Sequence, residues 1–193
     1  MQFTNDPKLD LRRTFRKPSQ RSPGKAPLLA LLRTDLQQLY GTEAVHAGPV
    51  PAPLLAALGT CVGFELLAKY WSGCPDVPSG TVHDFLTTVV GLTPADAEVL
   101  IQFRNSLAHG YALGTRRRKD NRPFSFAIDT SATASSSVIS HVGASQYVIN
   151  LWSLKRLFRM AIRRCRKEIG RDQYRLGDFQ VCIRNLGEIA IAQ

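Results

Sequence analysis

The chain of 193 residues lacks the patterns that mark several common protein classes. Its four cysteines, Cys61, Cys74, Cys165 and Cys182, are scattered, with no C-x-x-C pair and no neighbouring Cys/His group. That spacing speaks against a structural zinc site and against a disulfide framework, so the chain is expected to be cytoplasmic, in a reducing setting. Three of the cysteines lie in apolar helical context and read as small core residues. No apolar run reaches the roughly 18 residues of a membrane span. The N-terminus is basic, but Asp6 and Asp10 interrupt it and no apolar stretch follows, so no signal peptide and no membrane partner are expected. There is no G-x-x-x-x-G-K or G-x-G-x-x-G phosphate loop, no internal repeat and no convincing helix-turn-helix. No metal or cofactor is expected.

Carboxylates are also in short supply. Fifteen Asp and Glu face 25 Lys and Arg, giving a formal net charge of +10 and an isoelectric point near 9.9. Such a balance favours a polyanionic partner, nucleic acid first, through counterion release. The hydrophobic fraction of 44% and mean hydropathy of −0.11 are ordinary for a globular protein with a sizeable core.

Residues 1–25 combine Lys8, Arg12, Arg13, Arg16, Lys17, Arg21 and Lys25 with Pro, Ser and Gln. This composition reads as a flexible basic arm. Residues 26–193 read as one helical domain. Leu28, Leu31, Leu32, Leu36 and Leu39 follow helical spacing from Pro27 to Gly41, and a Gly/Pro loop covers 42–50. Pro51 to Trp71 forms a second helix, and about Val82 to Val90 a short one capped by Thr81 or Ser79. Thr93-Pro94-Ala95-Asp96 starts another: an N-cap threonine, proline at the first position, an acid in the first turn. Gly110 or Gly114 ends it.

Phe124–Ile128 and Gln146–Ile149 alternate as strands do, with a Ser/Thr/Ala loop at 131–137 between them. Together they predict a small β-hairpin insertion at about 122–150. Two helices, about 151–169 and 172–191, close the chain. The first sets Leu151, Leu154, Phe158, Ala161, Ile162, Cys165 and Ile169 against an opposite face of Arg156, Arg159, Arg163, Arg166 and Lys167. The predicted fold is mostly α: an antiparallel helical bundle carrying that hairpin. Trp71 and Trp152 read as packing residues; His46, His83 and His141 are assigned no role.

The stretch Arg104-Asn105-Ser106-Leu107-Ala108-His109-Gly110-Tyr111 stands apart. It puts a permanent cation, an imidazole and a phenol within two helical turns, and Arg116-Arg117-Arg118-Lys119 follow at once. Arginine grips phosphate with a planar fork of donors, and histidine moves protons near neutral pH. Asn105 and His109 share a helical face, whereas Arg104 and His109 lie about 140° apart around the axis. Spacing alone does not make them a pair. A frayed helix end, a long arginine stem or a second copy of the motif would have to bring them together.

Arg-Asn-x3-His-x-Tyr, read here as Arg104, Asn105, His109 and Tyr111, resembles the signature of HEPN domains. These are helical-bundle proteins that include many metal-independent endoribonucleases. The version with tyrosine looks like the HEPN toxins paired with a nucleotidyltransferase antitoxin, in which the tyrosine is adenylylated. The resemblance implies a homodimer with two motifs facing across a cleft. In it His109 acts as general base or acid at a ribose 2'-hydroxyl, Arg104 stabilises charge on the phosphorane, and Asn105 orients the histidine or holds a phosphate oxygen. The expected products are a 2',3'-cyclic phosphate and a 5'-hydroxyl. Tyr111 is then the modification site and a separate nucleotidyltransferase chain a partner, in a toxin–antitoxin or anti-phage defence setting. The simplest toxins of this kind are shorter and carry neither hairpin nor cationic arm.

Around the motif, Glu65 falls on the apolar stripe of Leu58, Val62 and Leu66, where a lone carboxylate is costly. It pairs either with Arg104, as a support for that residue, or with Lys69 one turn on, and the spacing favours Lys69. Arg116, Arg117, Arg118, Lys119 and Arg122 are candidates for RNA backbone contact or a solvated loop. The alternative to a nuclease is a non-catalytic HEPN-like module that binds RNA or protein.

Overall fold

The computed structural model describes residues 4–16, 27–41, 50–110, 112–131 and 137–186. The expectations for residues 17–25, the 42–49 loop with His46, Tyr111, the centre of the 131–137 loop, and the end of the last helix lie outside these.

The N-terminal segment departs first from the sequence reading. Residues Pro7–Phe15 form a helix, α1, rather than part of a flexible arm. The Asp6 carboxylate accepts from the backbone N–H of Lys8 and Leu9, and Pro7 opens the first turn, a start signal that the basic composition obscured. Leu11 and Phe15 are buried. The Phe15 ring lies 6.1 Å from both Tyr70 and Phe179. Asp10 is buried too, accepting from the Thr4 backbone and from Gln180 Nε2 at 3.0 Å each.

The rest of the helical frame follows apolar periodicity. α2 spans Leu28–Tyr40 and ends at Gly41. α3 spans Pro53–Ser72 and is the hub, packing against α2 and four further helices. α3 is 20 residues long and reaches a mean hydropathy of 1.3 over an 18-residue window, which by length and composition is enough to cross a bilayer; here it is the central helix of the core. Gly63 lets a later helix, the one that carries Phe158, approach, since a Cβ there would lie 2.5 Å from the Phe158 ring. α4, Ser79–Phe85, begins three residues earlier than expected, and neither Ser79 nor Thr81 caps it. A π-helical turn, Leu86–Val90, follows and stops at Gly91, whose φ of 82° suits glycine. α5 runs Pro94–Gly110. Its start matches the sequence: Thr93 Oγ1 accepts from the Asp96 N–H at 3.1 Å and donates to the Asp96 carboxylate at 2.8 Å.

The insertion is a four-stranded sheet rather than a two-stranded hairpin. β1 is Gly114–Arg116, β2 Pro123–Asp129, β3 Ile139–His141 and β4 Gln146–Asn150, in the order β1-β2-β4-β3. The two strands read from sequence do pair, but in parallel, with Phe126 opposite Tyr147 and Ile128 opposite Ile149. The antiparallel hairpins are β1–β2 and β3–β4. Alternation specifies which face of a strand is buried and says nothing of direction. Phe124, Phe126, Tyr147 and Ile149 are the buried set, and Phe126 packs 5.1 Å from Phe103 of α5.

Two helices close the chain. α6, Leu151–Arg171, is capped by Asn150, whose side chain accepts from the Ser153 N–H at 2.8 Å. α7, Gln173–Leu186, packs on α1, α3 and α6. The described residues are thus mostly helical, with one small sheet.

Candidate functional site

α5 is amphipathic because Ala97, Leu100, Phe103 and Leu107 are buried in the core. The same rotation brings Arg104 and Asn105, both half-buried, to the flank facing α3. There Arg104 meets Glu65: its Nε lies 2.6 Å from Glu65 Oε1 as an ion-pair contact, and its Nη2 donates to Oε2 at 3.0 Å. Nη1 donates to Asn105 Oδ1 at 3.2 Å. The carboxylate therefore pairs with the arginine, not with Lys69 as its spacing favoured. Lys69 is one helical turn away along α3, but Arg104 reaches across from α5 with a planar fork that takes both carboxylate oxygens. This satisfies a charge that an apolar helix face would otherwise disfavour.

The pair lines an open cavity of about 540 Å³ between α3, α4 and α5, together with Asn105, Lys69, Asp76 and Ser79. Cys61 also borders it, yet is only 3% exposed. Burial first, with the Glu65 charge adding and Arg104 opposing, pushes its thiol up to about 12. Such a group stays a thiol at neutral pH and is no nucleophile.

His109 is not part of this cavity's wall. It sits exposed one turn beyond Asn105, and among the described residues no hydrogen-bond or ion-pair partner reaches its ring. Within one chain the structure thus joins Arg104, Asn105 and Glu65 and leaves His109 to solvent near the helix end. Tyr111 lies outside the described residues. Beside the cavity, Leu55 and Val62 are 46% and 40% exposed. With Leu58 and Glu65 they fall on one α3 stripe by three- and four-residue spacing.

The basic run divides by partner. Arg117 is tied to Asp120 by two guanidinium hydrogen bonds and to Glu98 at 3.5 Å. The Arg117 bond holds the Asp120 carboxyl down at about 2. Arg122 Nη2 donates to the Tyr147 hydroxyl at 3.2 Å, and the guanidinium lies 5.3 Å over the Phe124 ring. Arg116 reaches the Asn121 carbonyl at 3.4 Å. Arg118 and Lys119 project from the turn, exposed.

A second cavity, about 450 Å³, gathers residues that sequence distance concealed: His83, Arg117, Arg122, His141 and Tyr147. His83 Nε2 lies 3.2 Å from the Pro94 carbonyl and His141 Nε2 lies 3.1 Å from Asp96. No spacing signal links His83 to His141; only the sheet's folding against the start of α5 does. Among the described residues no group of three or more His, Cys, Asp or Glu side chains is arranged to hold a metal.

No family model, curated protein or solved structure matches this chain.

Proposed function

We propose that the chain is a metal-independent endoribonuclease of HEPN type, acting as a homodimer whose two motifs form one composite site. The observation that carries this reading is the Arg104 guanidinium. It is fixed by Glu65 and Asn105 at the wall of an open cavity, on the same helix as the exposed His109. An anchored arginine is preorganised for charge that develops on a phosphorane, with little reorganisation at the moment of reaction. His109, an exposed imidazole near the helix end, suits proton transfer. Because the two lie about 140° apart on one helix, the reading requires a second copy. The exposed Leu55–Val62 stripe beside the cavity offers apolar area for that copy to bury.

In this mechanism the ribose 2'-oxygen attacks the adjacent phosphorus as His109 takes the hydroxyl proton. The P–O5' bond breaks, a protonated acid returns a proton to the leaving oxygen, and a 2',3'-cyclic phosphate remains. Arg104 neutralises the non-bridging oxygens. Arg116, Arg118 and Lys119 are the loop cations left facing solvent for RNA backbone contact. The same motif suggests a toxin or defence role, with Tyr111 as the position a nucleotidyltransferase partner would modify.

A second reading has its own support. Glu65 already neutralises Arg104, as expected if the pair only holds α3 to α5 in a non-catalytic RNA- or protein-binding module. One assay separates them. Purified protein with total RNA in EDTA should yield shortened RNA with 2',3'-cyclic ends, and Arg104→Ala or His109→Ala should each abolish cleavage, a loss of at least about a hundredfold, with circular dichroism unchanged. RNA retarded but not shortened, or cleavage surviving either substitution, overturns the mechanism.

A further inference from the structure

The positive charge of this chain is concentrated. α6 carries eight Lys and Arg side chains against a single carboxylate, Glu168, and Glu168 pairs with Arg171 at 3.4 Å. The core takes the inward positions of α6, Leu154, Phe158, Ala161, Ile162 and Cys165. The cations are left on the outer arc, where Arg156, Arg159, Arg163, Arg166 and Lys167 are all exposed. Steps of three and four residues set them on one face. At 1.5 Å per residue, the row covers about 16 Å of helix axis, with a cation at every turn.

One flank of this face opens into a groove of about 250 Å³ between α2 and α6. Arg33, Lys155 and Arg159 line it with Thr34 and Gln37, and among the described residues no carboxylate does. Arg33 is held there by donating from Nη1 to the Phe15 carbonyl at the end of α1, at 3.0 Å. Burial and then the charge of Arg159 lower its pKa from the ordinary value. Lys155 Nζ is positioned over the rings of Tyr40 and Trp152, 4.9 Å from each. The fold therefore brings three cations of α2 and α6 together along a shallow channel that continues into the outer face of α6.

We infer that the α2–α6 groove and the outer face of α6 form a track for a single nucleic-acid strand, bound through its phosphates. Charge complementarity selects the occupant. A single row of cations spaced by helical turns fits a chain of regularly repeated charges. Four of the five outer cations are arginine, whose fork matches phosphate oxygens. An anionic bilayer fits less well, since none of the large apolar side chains exposed among the described residues lies on α6. The inference goes beyond the nuclease reading, because the track is on α6 and the proposed chemistry on α5. It holds whether or not the chain cleaves RNA.

The test uses the full chain and fluorescence anisotropy with labelled oligo-uridine and oligo-thymidine of ~20 nucleotides, from about 50 to 200 mM KCl. The DNA strand has no 2'-hydroxyl to attack, so its binding is read independently of any cleavage. Phosphate contacts carry no base or sugar readout, so the two strands should bind within about threefold of each other. Each contact contributes about 0.7 to the slope of log K against log salt. Arg159→Gln/Arg163→Gln/Arg166→Gln should therefore lower affinity at least about tenfold at low salt and flatten the slope by about 2. Tyr174→Glu/Val181→Glu/Asn185→Glu, on the exposed side of α7, makes the same change in net charge and should cost less than about threefold. The track is overturned if both triples lose equally, which leaves bulk charge only, or if the α6 triple loses nothing. It is equally overturned if that triple weakens binding to polyglutamate or to phosphatidylserine vesicles more than to the oligonucleotides.

Discussion

The groove between α3 and α5 and the outer face of α6 both depend on arginine, and they hold it in opposite ways. In the groove one guanidinium is clamped across two helices by Glu65 and shares a bond with Asn105. On α6 five cations are exposed on a helix with one carboxylate, and Arg156 donates to Ser153 Oγ at 3.0 Å. The first arrangement fixes a direction and largely cancels the charge. The second gathers many cations on one helix face. Catalysis needs a group held in place before the reaction, whereas strand affinity needs field and number. Position and quantity of charge are thus divided between two helices.

The comparison breaks most visibly if α5 is not rigidly seated. Phe103 is fully buried and packs 5.1 Å from Phe126, tying α5 to the sheet. Phe103→Ala should cost about 3–5 kcal/mol in urea unfolding. A loss below about 1 kcal/mol would show that α5 can shift, and the clamp on Arg104 would then have no fixed frame. The clamp itself comes next. Its side chains are 29% and 26% exposed, so solvent screens part of the attraction. Even so, Glu65→Gln leaves a half-buried guanidinium without its carboxylate and should cost about 1–2 kcal/mol. A double-mutant cycle with Arg104→Leu should return a coupling near 1 kcal/mol, and a coupling of zero would place Arg104 in the same class as the α6 cations.

How much of this was legible in the sequence follows from the range of each interaction. α2, α3, α5 and α6 were readable because a 3.6-residue apolar period and local start signals such as Thr93-Pro94 act within a few residues. α1 was missed because a charge count over 25 residues outweighed Asp6-Pro7 and the spacing of Leu11 and Phe15. Two of the four strands were found, but their parallel pairing depends on where the chain re-enters the sheet at Ile139, which no alternation encodes. At the site, Arg104, Asn105 and His109 were named from one contiguous motif. The partner of Glu65 was misjudged because its nearest cation in sequence, Lys69, was weighed above one 39 residues away. The meeting of His83 with His141, and of Arg33 with Arg159, is tertiary in the same sense.

The smallest effect distinguishes the two regions by sign. Arg163 is exposed on α6 among like charges, so Arg163→Gln should change stability by no more than about 0.5 kcal/mol. Its information lies in the response to salt. An attractive pair weakens as ions screen it, while a crowded row of cations is relieved. The Glu65–Arg104 coupling should therefore shrink between about 50 and 500 mM KCl. Over the same range Arg163→Gln should pass from slightly stabilising to neutral, because the repulsion it removes has already been screened. Urea unfolding of the wild type and the single variants at both salts reads all of this. If Arg163→Gln is instead destabilising and becomes less so with salt, then Arg163 is held by a carboxylate, and the α6 face is a paired surface rather than an open field.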